Sequence, residues 1–154
     1  MAKPSTSQPR DEGAGAIFRT IVVPTDLTNR TVDALRLAGK LAAGRTRVTL
    51  LHVIEMIPGV AFDELKPFYE KLRLKAQKKL ASLAHQARQG PASIDFAIAY
   101  GPRAETIVTE AKARGADLIV LASHRVNPMM VGRDWGTISY KVGILAACPV
   151  LLVK

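Results

Sequence analysis

Five short runs of apolar, largely β-branched residues punctuate the chain: FRTIVVP (18–24), RVTLLHVI (47–54), IDFAIAY (94–100), ADLIVLAS (116–123) and CPVLLV (148–153). Their near-continuous hydrophobicity predicts strands buried on both faces. Between them the apolar period lengthens. Val32, Leu35, Leu37 and Leu41 predict a helix that starts from Thr28 or Asn29 as N-cap and stops at Gly44. Leu65, Tyr69, Leu72, Ala76, Leu80, Leu83 and Ala87 predict a long amphipathic helix ending near Gly90 and Pro91, with Pro67 tolerated in its first turn. A third helix opens at Pro102, carries Ile107, Val108 and Ala111, and closes at Gly115. A fourth starts near Gly136 and carries Ile138, Val142 and Leu145.

Strand and helix alternate strictly. That order implies an α/β domain with a single open, doubly wound five-stranded parallel sheet, helices on both faces, and right-handed crossovers. Ligands of such domains bind beyond the carboxyl ends of the strands, where the strand order reverses. The corners of interest are therefore PTDLTNR (24–30), HVIEMIPG (52–59), YGPRAE (100–105) and LASHRVNPMMVGRDWGTISYK (121–141).

At 154 residues and 48% hydrophobic content the chain has enough apolar side chains for one core. The first sixteen residues, MAKPSTSQPRDEGAGA, have almost no large apolar side chain and read as a disordered tail ahead of a domain over 17–154. They lack the apolar run of a secretory signal, and no later segment is long and uncharged enough to span a bilayer. The lone Cys148 permits no internal disulfide and suits a reducing compartment. A soluble cytoplasmic protein is expected. Cys148, inside LAACPVLLV, reads as a small buried hydrophobe.

The formal charge of +9 invites a nucleic-acid reading, and because Lys3 and Arg10 of the tail cancel Asp11 and Glu12, the excess belongs to the domain. The one dense basic group, Lys66, Lys71, Arg73, Lys75, Lys78 and Lys79, lies on the long helix without an array of stacking aromatics. A solvated helix face is the better reading, and nucleic acid is not the expected partner.

Signatures of catalysis are missing. There is no GxxxxGK[ST] loop, GAGAIF (13–18) precedes a strand instead of following one, and no GxSxG elbow is present. His52, His85 and His124 fall in different elements, so no metal-ligand spacing arises. Asp26, just past the first strand, has two readings: a carboxylate that accepts from a base or ribose, or one that satisfies free amides at the helix start. About a dozen residues separate Ser123 from Gly136, long for a strand-to-helix connection. Gly136 and Thr137 then place a small residue, a hydroxyl and free amides where an anion is favoured.

Taken together, IVVPTDLT, LLHVIE, YGPRAETIVTEAKARGADLIVLASHR and GTISYKVGILAACPVLLVK resemble the universal stress protein family, in order and from about Phe18 to Lys154. The resemblance implies the strand order 3-2-1-4-5, with the switch point between the first and fourth strands. It implies a homodimer through the last strand, at Val150, Leu151, Leu152 and Val153. In one branch of the family it implies ATP, with Mg²⁺ accompanying it, bound through a G-x2-G-x9-G-[S/T] loop. Carried over, Pro24, Thr25, Asp26 and Val53 fall at the adenosine end. The phosphate end takes in Ala122, Ser123, His124, Arg125, Arg133, Gly136 and Thr137.

The loop departs from that pattern. Ala122 and Arg125 stand where the first two glycines belong, and residues 126–135, ten instead of nine, separate Arg125 from Gly136. Glycine is favoured where backbone must approach a phosphate or take positive φ. Two outcomes compete: Arg125 and Arg133 hold phosphate through their guanidinium forks, or Asp134 folds onto the free amides and fills the anion site. Met129, Met130 and Trp135 read equally well as pocket lining or as loop cover. A stress-response binding and signalling module is the preferred function. The alternatives are a slow ATPase or phosphoryl-transfer enzyme, with Asp26 on Mg²⁺, and a dimer that binds no nucleotide and engages anionic or nucleic-acid partners.

Overall fold

The computed structural model describes residues 16–87, 93–124 and 137–154. Residues 1–15, 88–92 and 125–136 lie outside them, and with them the expected helix end near Gly90 and Pro91 and all but the last residue of the expected tail over 1–16.

Five parallel strands form one sheet. They are β1 (Thr20–Thr25), β2 (Arg47–Ile54), β3 (Ser93–Tyr100), β4 (Leu118–Ala122) and β5 (Val150–Val153), in the order β3-β2-β1-β4-β5. Among the described residues four α-helices connect them: α1 (Arg30–Leu41), α2 (Lys66–Ala87), α3 (Arg103–Ala113) and α4 (Ile138–Leu145). The doubly wound architecture and the order 3-2-1-4-5 are those expected. A short 3₁₀ turn at Phe62–Leu65, which no apolar period announces, leads into α2.

Strand residues alternate between two cores. Ile21, Val23, Val48, Leu50, Leu118 and Val120 pack with Val32, Leu35 and Ala38 of α1 and Leu80 and Leu83 of α2. On the other face Val22, Leu51, Val53, Ile119 and Leu121 meet Ala104, Ile107 and Ala111 of α3 and Val142 of α4. Burial on both faces is why the central strands show no polar alternation.

Helix ends differ in detail from the sequence expectation. Asn29 holds the N-cap position of α1 but makes no side-chain cap bond. Its Oδ1 accepts instead from Lys79 Nζ at 3.4 Å, and the Thr28 hydroxyl donates to Asp26. Asn29 has αR backbone, at φ −67° and ψ −16°, and not the extended conformation in which a capping side chain reaches the free amides. At α4 the cap is Thr137, whose Oγ1 accepts from the Tyr140 amide at 3.4 Å. Gly115, at φ +64°, ends α3, with its amide on Lys112 O and the Ala116 amide on Ala111 O.

β1 and β4 part company early. β1 pairs with β2 as far as Thr25, yet with β4 only at Ile21 and Val22. Pro24 has no N–H to give to a ladder. The sheet thus opens between β1 and β4 at their carboxyl ends, the reversal point of the strand order.

At the opposite end Asp117 closes the sheet. Its Oδ2 accepts from the Arg19 amide at 2.7 Å and its Oδ1 from the Thr20 amide at 3.0 Å, while its own amide donates to Thr20 O. One carboxylate satisfies the free donors where β1 begins.

Candidate functional site

The corner after β1 is built around two side chains. The Thr25 hydroxyl accepts from the Leu27 amide at 2.8 Å and exchanges a buried hydrogen bond of 2.7 Å with the Thr31 hydroxyl, tying the end of β1 to the first turn of α1. Asp26 turns the other way. Its Oδ1 accepts from the Thr28 amide at 3.0 Å and the Thr28 hydroxyl at 2.6 Å, and its Oδ2 faces Arg30 Nη2 at 3.3 Å. Partial burial pushes the Asp26 carboxyl upward, but the Thr28 donors and the Arg30 guanidinium outweigh it and hold the group below its ordinary value. Asp26 therefore remains ionised.

This double anchoring forces Leu27 to φ +65°, the left-handed region that costs a branched residue roughly 1–2 kcal/mol. Leu27 packs its side chain against the α1–α2 core, which offsets that cost. His52, level with Thr25 on β2, donates from Nδ1 to Thr25 O at 3.0 Å. It is a half-buried structural histidine.

Where β1 and β4 diverge lies a cleft of about 190 Å³. Of the residues expected there, Pro24, Thr25, Asp26, Val53, Ala122, His124 and Thr137 line it. Ser123 is not on its wall. The Ser123 amide donates to Val153 O at 2.8 Å, its hydroxyl accepts from Ser139 Oγ at 3.2 Å, and Lys154 Nζ reaches its Oγ at 3.5 Å and His124 O at 3.3 Å. The end of β4 is thereby fastened to α4 and to the end of β5. Arg125, Arg133, Asp134 and Gly136 lie outside the described residues.

The polar lining also includes residues that the sequence did not single out: Arg30, Thr31, Arg103 and Ser139. Arg30 and Arg103 come from the helices on opposite faces of the sheet, so each face contributes one guanidinium. Both are paired, Arg30 with Asp26 and Arg103 with Glu55 at 2.7 Å. Beside the cleft lies a wider hollow of about 720 Å³, faced by Met56, Ile57, Val60 and Phe62 and carrying one charge, Glu55. Its wall is stiff. Phe62 stacks on buried Tyr69 with centroids 5.1 Å apart, and the Tyr69 hydroxyl accepts from the Ile57 amide at 2.8 Å. Among the described residues no group of three or more His, Cys, Asp or Glu could hold a metal ion. Among them, too, no helix is long and apolar enough to cross a membrane.

The sheet order, the two helical layers and a cleft at the β1–β4 switch point define an open doubly wound α/β domain of the type that takes ligands at its strand ends. A model of the universal stress protein family matches residues 17–154, and the chain belongs to that family. It is 28% identical over 155 positions to the universal stress protein YxiE of Bacillus subtilis (strain 168), covering 90% of this chain and 100% of that protein. Its structure is similar to a universal stress protein in complex with cAMP, with a TM-score of 0.67 and 22% identity over 89% of this chain and 97% of the other. It is also similar to the universal stress protein of Archaeoglobus fulgidus in complex with dAMP, with a TM-score of 0.65 and 20% identity over 90% and 99% of the two chains. At these identities the two structures establish the fold.

Proposed function

We propose that this universal stress protein is a small cytoplasmic adenine-nucleotide-binding module that signals as a homodimer. The observation that supports it most directly is the position of the cleft. It opens at the switch point, with an ionised Asp26 and the β2 residue Val53 on one side and the α4 cap Thr137 on the other. In this reading Pro24, Thr25, Asp26 and Val53 hold the adenosine. Ala122, His124 and Thr137, with Arg125, Arg133 and Gly136, hold the phosphates, and Ser123 positions its neighbours. The cAMP and dAMP bound by the two structural relatives favour the same ligand class. Mg²⁺, with no cluster of three or more acidic or histidine ligands among the described residues, arrives with a polyphosphate.

Dimerisation through β5 is supported by an edge that is unpaired among the described residues. Val150–Val153 pairs with β4 on one side only, and Leu151 and Leu152 remain exposed, as do Ile144 and Leu145 of α4. An apolar edge strand of this kind is an aggregation hazard unless a second copy covers it.

The test of the nucleotide reading is a calorimetric titration of the purified chain with ATP, with and without Mg²⁺, after a check for co-purifying nucleotide. Micromolar binding is expected. No heat and no retained nucleotide would contradict the reading.

A further inference from the structure

Arg103 and Glu55 form the one ion pair among the described residues that joins separate elements; the other four are local, at i,i+3 or i,i+4. The backbone sets this pair. Ile54 and Tyr100 end β2 and β3 in register, and the Gly101 amide then donates to Ile54 O at 3.1 Å. Glu55 follows Ile54 directly. Arg103 follows Gly101 by way of Pro102, which fixes the chain direction into α3. Gly101 is required at this bend, being at φ +142° with the site of a Cβ 2.6 Å from Thr106 Oγ1.

The two partners differ in where they face. Arg103 lines the cleft, whereas Glu55 lines the neighbouring apolar hollow and is not part of the cleft wall. The pair is half exposed, at 41% and 53%, so water and a competing anion can reach it. Arg30 is different, because its partner Asp26 is itself part of the cleft wall. Releasing Arg30 would leave a bare carboxylate facing a phosphate. Releasing Arg103 frees the guanidinium of a residue that lines the cleft, while its carboxylate partner Glu55 is not part of that lining.

We infer that Arg103 is a phosphate-reading residue and that Glu55 is its internal competitor, holding the guanidinium until a nucleotide phosphate takes it over. The inference rests on the nucleotide reading of the cleft and adds what sets the preference for a phosphorylated ligand over the bare nucleoside. A guanidinium pairs carboxylate and phosphate alike, so the exchange replaces the single Nη2–Oε2 contact at 2.7 Å by a contact to phosphate. Glu55 thus lowers the gain from phosphate without touching the adenosine.

The experiment measures binding of AMP and of adenosine to the full chain and to its E55Q and R103Q variants, with thermal unfolding of each. Glu55→Gln is expected to tighten AMP by about three- to tenfold and leave adenosine within about twofold. Arg103→Gln is expected to weaken AMP by a similar factor, again sparing adenosine. If the pair is only a clasp between β2 and α3, both variants lose thermal stability and shift AMP and adenosine together, which overturns the inference. Wild-type chain that binds AMP and adenosine, with a ratio unmoved in either variant, also overturns it while leaving the nucleotide reading intact. Wild-type chain that binds neither compound overturns both.

Discussion

The Arg103 guanidinium lies 2.7 Å from the Glu55 carboxylate, although 48 positions separate the two residues. Their meeting depends on Gly101, whose φ of +142° turns the chain from β3 into α3. Gly101→Ala is expected to cost roughly 1–3 kcal/mol, the range for a residue forced into sparsely populated backbone. Thermal or denaturant unfolding checks this. Adding Thr106→Ala removes the clash at 2.6 Å but not the backbone strain, so the double variant should recover only part of the loss. Full recovery would show that sterics alone make the glycine necessary.

Asp117 is expected to matter for stability and not for ligand. Its carboxylate accepts the Arg19 and Thr20 amides at the end of β1 remote from the cleft. Asp117→Ala leaves both donors without a protein partner. Because the site is partly solvated, a loss of about 1–2 kcal/mol is expected in denaturant unfolding. Nucleotide affinity of the folded variant should match the wild type.

The Asp26 carboxyl supplies a pH signature. Its folded value lies below the ordinary 3.8, so its contribution to stability is fully present above the unfolded value and is lost as pH falls through the folded one. Compared with Asp26→Asn, the wild type should gain a constant margin above about pH 5, shrinking toward zero on acidification. Half-exposed charge pairs are screened, so the margin is about 0.5 kcal/mol. Melting temperatures of the two proteins across that range check the sign. A margin that grows on acidification would contradict the arrangement of Thr28 and Arg30 around Asp26.

Leu152, on the edge strand β5, is 39% exposed. Leu152→Arg, which places a charge on a self-paired edge, should convert a dimer to a monomer at micromolar concentration without unfolding it. Light scattering coupled to size exclusion reads this directly. A wild type that is already monomeric would contradict pairing through β5.

The five strands and four helices were legible because their apolar residues are determined by burial, which leaves a local period. The corners were legible too: PTDLTNR, HVIEMIPG and YGPRAE contain Asp26, Arg30, Glu55 and Arg103. Which of these side chains meet was not legible. The Glu55–Arg103 pair and the Asp117 bonds join residues far apart in sequence, and only the strand register brings them together. The strand order was an implication of family resemblance and not of periodicity. The left-handed Leu27 also left no local mark, because its conformation is imposed by the bonds of Thr25 and Asp26 on either side.

An adenine nucleotide held in the β1–β4 cleft is tested by titrating isotope-labelled chain with AMP and following the backbone amides by NMR. Saturable shifts are expected to concentrate at Thr25, Asp26, Val53, Arg103 and Thr137, with little change at Asp117 or along α2. Shifts spread over the basic residues of α2 and weakening steeply with salt, with the cleft unmoved, would contradict nucleotide binding in the cleft and indicate a general anion surface instead.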